Sequence, residues 1–207
     1  MKILMPIALL AALAAFGTTA AVAAKGHHHH HADCRSIGGG DLCNGTNRRD
    51  RITASHGNDT VNALAGNDTI HALTGNDRAF GNSGSDIVLG DETGKGGNDY
   101  IDGGPGNDRV FGMAGSDVVH GGSGSDVVHG GTGRDWMYGD GGADVLDDAP
   151  RNGPSRSDHF FGGGGNDEIF SRDGTKDWLD CGSGSDVAKV DHKDEVARNC
   201  EHVIRQG

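Results

Sequence analysis

From Ile52 to Ala188 a single apolar residue recurs between polar neighbours at nine-residue steps: Ile52, Val61, Ile70, Ala79 and Val88, then Ile101, Val110, Val119, Val128, Met137 and Leu146, then Phe160 and Ile169, and last Leu179 and Ala188. Such a step matches neither the 3.6-residue period of an amphipathic helix nor a sustained two-residue alternation. It fits a short strand, as in Val127-Val128-His129, whose middle side chain points inward while its neighbours point out. The rest of each copy is turn, fullest in Gly103-Gly104-Pro105-Gly106-Asn107-Asp108 and Gly121-Gly122-Ser123-Gly124-Ser125-Asp126. Glycine supplies backbone of positive φ, and Asn or Ser before the Asp suits a tight turn. Strand and turn therefore alternate without any helix signal, and the expected fold is all-β.

Two residues before each apolar position stands an aspartate, fifteen in all. The beat breaks only between copies. Asp86 to Asp99 is thirteen residues, Asp144 to Asp158 fourteen and Asp167 to Asp177 ten, as loops added to a repeating scaffold should be. Glycine stands two before the aspartate in twelve of the fifteen, and the exceptions, Arg48, Arg156 and Thr175, mark degenerate copies. A disordered Gly/Asp-rich tail would not keep an apolar residue in register with every aspartate.

Composition adds a requirement. With 38 Gly and 5% aromatic residues, the chain cannot build the layered core of a domain this long. One buried apolar side chain per copy does not offset the entropy of ordering the whole copy. A bound divalent cation is the remaining source, since binding that occurs only in the folded state stabilises that state. Hard oxygen ligands at close, regular spacing suit Ca²⁺, which accepts six to eight oxygens in loose geometry and uses backbone carbonyls readily.

In these motifs the chain resembles the RTX, or hemolysin-type calcium-binding, repeat family over roughly residues 45–190. The resemblance implies a parallel β-roll of about seven coils, two nonapeptides to a coil, with Ca²⁺ between turns stacked on the same side. Turns one coil apart would share an ion, so that Asp108 neighbours Asp126 and Asp117 neighbours Asp135. Carried over residue by residue, the resemblance makes ligands of Asp59, Asp68, Asp77, Asp86, Asp99, Asp108, Asp117, Asp126, Asp135, Asp144, Asp167 and Asp186. Carbonyl oxygens of turn glycines, among them Gly104, Gly106, Gly122, Gly124, Gly131 and Gly133, would complete the shells. In the first copies Ala63-Leu64 and Ala72-Leu73 replace the leading glycine pair, which predicts weaker or empty sites there.

The ends carry other signals. Lys2, the apolar run from Ile7 to Phe16 and Ala21-Val22-Ala23 follow the order of a cleaved secretory signal peptide, with an apolar run shorter than the ~20 residues a membrane span needs. Export predicts oxidised cysteines. Cys34, Cys43, Cys181 and Cys200 allow three connectivities, and the repeat array separates the two ends, so Cys34–Cys43 and Cys181–Cys200 are the expected pairs. The tail from Cys181-Gly182 to Cys200-Glu201 resembles the disulfide-closed C-terminal cap of secreted actinobacterial RTX-repeat proteins. A solenoid needs such caps because its last coil is an open sheet edge. The expected organisation is a signal peptide at 1–23, a His-rich segment and disulfide cap at 24–44, the β-roll at 45–190 and a C-terminal cap at 191–207.

The net charge of −12 concentrates in the turns, so the coils should repel one another without cations, and nucleic acid is not an expected partner. His27 to His31 form a tract able to chelate a transition metal, as a tag or a native tail. His120 and His129 fall on opposite sheets of a β-roll and should share no metal. No H-E-x-x-H, G-x-S-x-G, P-loop or EF-hand pattern is present, so no enzyme is expected. Two functions remain: an extracellular calcium-binding protein whose roll folds in Ca²⁺, and an adhesion or assembly protein using the calcium-built roll as a scaffold for a cell-surface or self-association partner. The second would use outward stripes of Val118 beside Trp136 and Val127 beside Val145.

Overall fold

Because each nonapeptide offers one inward side chain, successive strands must face each other across a thin core, and that is the arrangement found. A computed structural model of the chain describes residues 30–31, 33–37, 40–92, 96–148 and 156–206, with side chains from residue 40 onward. From Asp50–Thr53 onward its strands alternate between two ten-stranded sheets, and strands two apart in the chain pair with each other. Arg109–Gly115 lies between Ile87–Asp91 and Val127–Gly133 in one sheet, and Val118–Ser123 lies between Tyr100–Pro105 and Trp136–Gly141 in the other, all parallel. No helix occurs among the described residues, and none of them forms a helix long and apolar enough to cross a membrane. The fold is the expected β-roll.

All fifteen apolar residues of the beat are buried, none more than 1% exposed. The insertions are absorbed in the turns, so that Ile87 still faces Arg109 and Trp136 still faces His159. Where the coils run without interruption, from Tyr100 to Gly141, strands reach six or seven residues instead of the expected three. Equal coils let the pairing continue through the glycines, as in Met113 with Gly131 and Gly122 with Asp140. A second inward position lies four residues after the aspartate. It holds glycine in the full copies and buried Ala63, Ala72, Ser171, Cys181 and Val190 elsewhere.

The array is longer than about seven coils because segments outside the beat join it. At the N-terminal end Asp33–Ile37 and Gly40–Asn44 form an antiparallel pair that sets Cys34 opposite Cys43, and Cys43 is disulfide-bonded. At the other end Glu195–Val196 and His202–Arg205 extend the two sheets, and Cys181 is bonded to Cys200 with their Cα atoms 5.1 Å apart. The last strand is uncovered, leaving Val203 and Ile204 exposed. The signal peptide read at 1–23 and the histidines at 27–29 lie outside the described residues.

The outer faces follow the register expected of them. His120 and His129 lie in different sheets, and Val118 faces Trp136 as Val127 faces Val145. One face also carries rings stacked from coil to coil. His120 stacks on Tyr138 at 4.3 Å, Tyr138 on Phe161 at 4.6 Å and Trp136 on His159 at 4.2 Å.

Candidate metal centre

Each aspartate of the beat sits where a turn enters a strand, and all fifteen are buried. Their side chains form two columns along the roll. In each column the Oδ1 of one aspartate accepts the backbone N–H of the aspartate one coil earlier, at 2.6–3.0 Å, from Asp68 receiving Asp50 to Asp186 receiving Asp167. Asp126 thus joins Asp108, and Asp135 joins Asp117, the neighbours that the resemblance implies. The columns end on Asp194, which accepts the Asp177 N–H at 3.1 Å, and Glu201, which accepts the Asp186 N–H at 3.0 Å. These two acids were not legible as column members because the chain reaches them after seventeen and fifteen residues, off the repeat. The residue before the aspartate adds a parallel row, with Asn76 N–H on Asn58 and Ser125 N–H on Asn107, both at 2.8 Å.

One carboxylate oxygen is therefore structural. The other is not: Oδ2 of twelve column members, Asp68, Asp77, Asp86, Asp99, Asp108, Asp117, Asp126, Asp135, Asp144, Asp158, Asp167 and Asp186, is buried without a hydrogen-bond partner. An unsatisfied buried polar group costs about 1–3 kcal/mol, and more when charged. A dozen would cancel the about 5–15 kcal/mol that holds a typical domain together. The ion pairs Lys176–Glu195, Lys189–Glu168 and His120–Asp140 involve none of these aspartates.

In the remaining three members Oδ2 is hydrogen-bonded within the protein, while Asp50 keeps an unpartnered Oδ1. Oδ2 of Asp50 accepts Thr46 N–H at 2.6 Å and Thr46 Oγ1 at 2.9 Å, Oδ2 of Asp59 accepts Ser55 N–H at 2.9 Å, and Oδ2 of Asp177 accepts Ser171 Oγ at 2.7 Å. Asp59 accepts the Asp41 N–H on its other oxygen. Two aspartates differ from what their turns suggest. Asp59 has both oxygens hydrogen-bonded within the protein, whereas Asp158, set aside because Arg156 replaces its turn glycine, has the unpartnered oxygen of a full site.

The glycines explain how oxygen atoms come so close. A Cβ on Gly112 would stand 2.6 Å from Asp117 Oδ2 and 2.7 Å from the Gly130 carbonyl oxygen, and one on Gly103 would stand 2.8 Å from Asp108 Oδ2 and 2.5 Å from the Gly121 carbonyl oxygen. Carboxylate and carbonyl thus converge on a flank kept bare of side chains. Gly124, at φ 136°, would put a Cβ 1.5 Å from the Gly106 carbonyl oxygen, and Gly122 one 2.1 Å from that of Gly104, so these carbonyls aim at the next turn. Gly131 takes the same backbone conformation as Gly122, and the Gly133 carbonyl accepts the Arg156 N–H at 3.1 Å. In the early copies Leu64 and Leu73 are held at φ 76° and 79° in the place of the second glycine, at a cost of roughly 1–2 kcal/mol each. The lost glycines therefore strain the turns, while Asp68 and Asp77 behind them keep their unpartnered oxygens.

Burial raises carboxyls in both columns above the ordinary 3.8. Asp117 is pushed up to about 9, Asp158 to about 8, and Asp77, Asp108 and Asp144 to about 7, with repulsion from column neighbours adding to burial and the backbone N–H bond opposing it. A cation reverses that balance by favouring the ionised form. Unpartnered carboxylate oxygens beside turn carbonyls match the oxygen-only shell of Ca²⁺. When bound, the ion neutralises the columns and links coil to coil.

A family model described as the RTX calcium-binding nonapeptide repeat, in units of four copies, matches residues 37–70, 63–92, 93–128, 120–147 and 155–188. No curated protein matches the chain.

Proposed function

Since the chain belongs to the family of RTX calcium-binding nonapeptide repeat proteins, we propose that it is a secreted calcium-binding protein whose β-roll folds when it meets Ca²⁺ outside the cell. The ions lie between stacked turns, held by the free Oδ2 atoms of the twelve unpartnered column aspartates and by turn carbonyls. That row of buried, unpartnered oxygens is the observation that carries the reading. Secretion is supported by the signal-peptide pattern of residues 1–23 and by the Cys181–Cys200 disulfide, which suits an oxidising compartment. We assign it no catalytic chemistry. Equilibrium dialysis against calcium, followed by metal analysis, tests the reading: several ions per chain are expected, and a chain that retains none would overturn it.

An adhesion or assembly role is the second reading, favoured by the partly exposed Trp136 on a face lined with Val118 and Tyr138. The stacking of His120, Tyr138 and Phe161 turns ring faces toward neighbouring coils, which suits stiffening of the roll better than capture of a partner. Trp136→Ala separates the two. Loss of self-association or of cell-surface binding with calcium binding intact would support adhesion.

A further inference from the structure

Two of the longer intervals in the array, Asp86 to Asp99 and Asp144 to Asp158, carry an acid that the nonapeptide pattern does not explain. Asp91 ends the strand Ile87–Asp91, and Asp148 follows the strand Val145–Asp147. Both are buried, at 4% and 1% exposure. For Asp148 the reason is register: Asp147 faces His129, so Asp148 comes level with Gly130 at the inward position that glycine fills in the full copies, whereas Asp91 lies one residue past the inward Gly90, opposite Leu73. Asp91 Oδ2 accepts the Gly97 N–H at 2.9 Å, while its Oδ1 and both oxygens of Asp148 are unpartnered.

Each of these acids meets column aspartates. Carboxylate oxygens of Asp77, Asp91 and Asp99 lie within 4.8 Å of one another, and so do those of Asp148, Asp158 and Asp173. Oδ2 of Asp77, Asp99 and Asp158 is likewise unpartnered. Asp173, from the third interrupted interval, is held in place by the Thr175 N–H at 2.7 Å. Three converging carboxylates suit Ca²⁺, which takes oxygen ligands alone.

We propose that each triad is a calcium site in its own right, offering three carboxylates where an ordinary step of the column offers two, and that these sites fill before the rest. Resting on the calcium reading of the columns, this adds a purpose for the interruptions. Ligand charge sets calcium affinity over several orders of magnitude, and both triads fall where the repeat is broken. Asp77 and Asp99 belong to successive coils on either side of one insertion, joined through the Asp77 N–H and Asp99 Oδ1 at 2.8 Å. An ion there ties together coils that the insertion would otherwise loosen.

Calorimetric titration of the full chain with CaCl₂ tests the proposal. Wild type should show a tight class of one ion per triad, ahead of a weaker class from the columns. Asp148→Asn should halve the tight class, and Asp148→Gly, which restores the residue of the full copies, should do the same. Asp91→Asn should remove the other half, and the double variant should lose the class while the weaker class remains. Asp147→Asn, with the same loss of charge one residue away, should change neither. A tight class that survives in the double variant, or a wild type with one uniform class, overturns the triads and leaves the columns standing. A wild type that binds no calcium overturns the columns and the triads with them.

Discussion

Asp117→Asn should act in opposite directions with and without calcium. The residue is fully buried, its Oδ1 accepts the Asp99 N–H at 2.9 Å, and its Oδ2 is unpartnered. Asparagine keeps the accepting oxygen and puts an amide NH₂ in place of the other, facing the Gly130 carbonyl that flanks it. Burial pushes the Asp117 carboxyl from 3.8 up to about 9. At about 1.4 kcal/mol per pH unit, holding it protonated at pH 7 costs the metal-free fold up to ~4 kcal/mol. Asparagine removes that cost and supplies a donor. It also removes one charged ligand, which should weaken calcium binding by at least about tenfold. Far-UV circular dichroism of the chain, titrated with calcium and unfolded by urea in chelator, reads both effects. The variant should keep more β structure in chelator and need more calcium to complete its folding. If it loses β structure equally in both conditions, Asp117 serves the hydrogen-bond column alone and the ligand role is refuted.

Gly124→Ala should prevent its coil from closing, because the new Cβ would lie 1.5 Å from the Gly106 carbonyl oxygen, whereas Gly141→Ala meets nothing within 4 Å and should leave the melting temperature nearly unchanged. Equal effects of the two would contradict the turn geometry. The metal-free chain should gain β structure as pH falls. Asp108, Asp117, Asp144 and Asp158 lie above 3.8 in the fold, so between pH 4 and about 9 the folded state binds more protons than the unfolded one, and its stability is greatest below 4 and lost as pH rises. A β signal that is flat or rises with pH in metal-free buffer would count against it. Replacing Cys181 and Cys200 by Ser opens a loop of sequence separation 19, worth about 3 kcal/mol in the chain-entropy model. The C-terminal coil should loosen and, through its exposed edge, promote calcium-dependent end-to-end association visible by light scattering. A monomeric double variant with unchanged stability would remove the tail's role as a staple.

The core was legible because each apolar residue at Asp+2 has one possible destination, the gap between two sheets. Val110 and Leu146 are inside for the same reason, and the insertions disturb neither. Which aspartates are free was not legible. Glycines near an aspartate report the backbone of the turn, whereas the state of its Oδ2 depends on whether a hydroxyl such as Ser55 or Ser171 reaches it. Asp59, behind a turn glycine, is hydrogen-bonded on Oδ2, whereas Asp158, behind Arg156, is not. Asp91 and Asp148 sit in stretches that read as inserted surface loop, yet both are buried. Asp194 and Glu201 continue the columns at spacings that no count of nine would find.

The most direct measurement is a far-UV circular dichroism titration of the chain, first stripped of metal at neutral pH, with calcium and in parallel with magnesium. If calcium held by the aspartate columns builds the roll, the stripped chain is largely disordered and gains β structure cooperatively in calcium. Magnesium substitutes poorly, because it keeps its waters and demands near-octahedral geometry. A stripped chain that already has the β spectrum, unchanged by calcium, would contradict it.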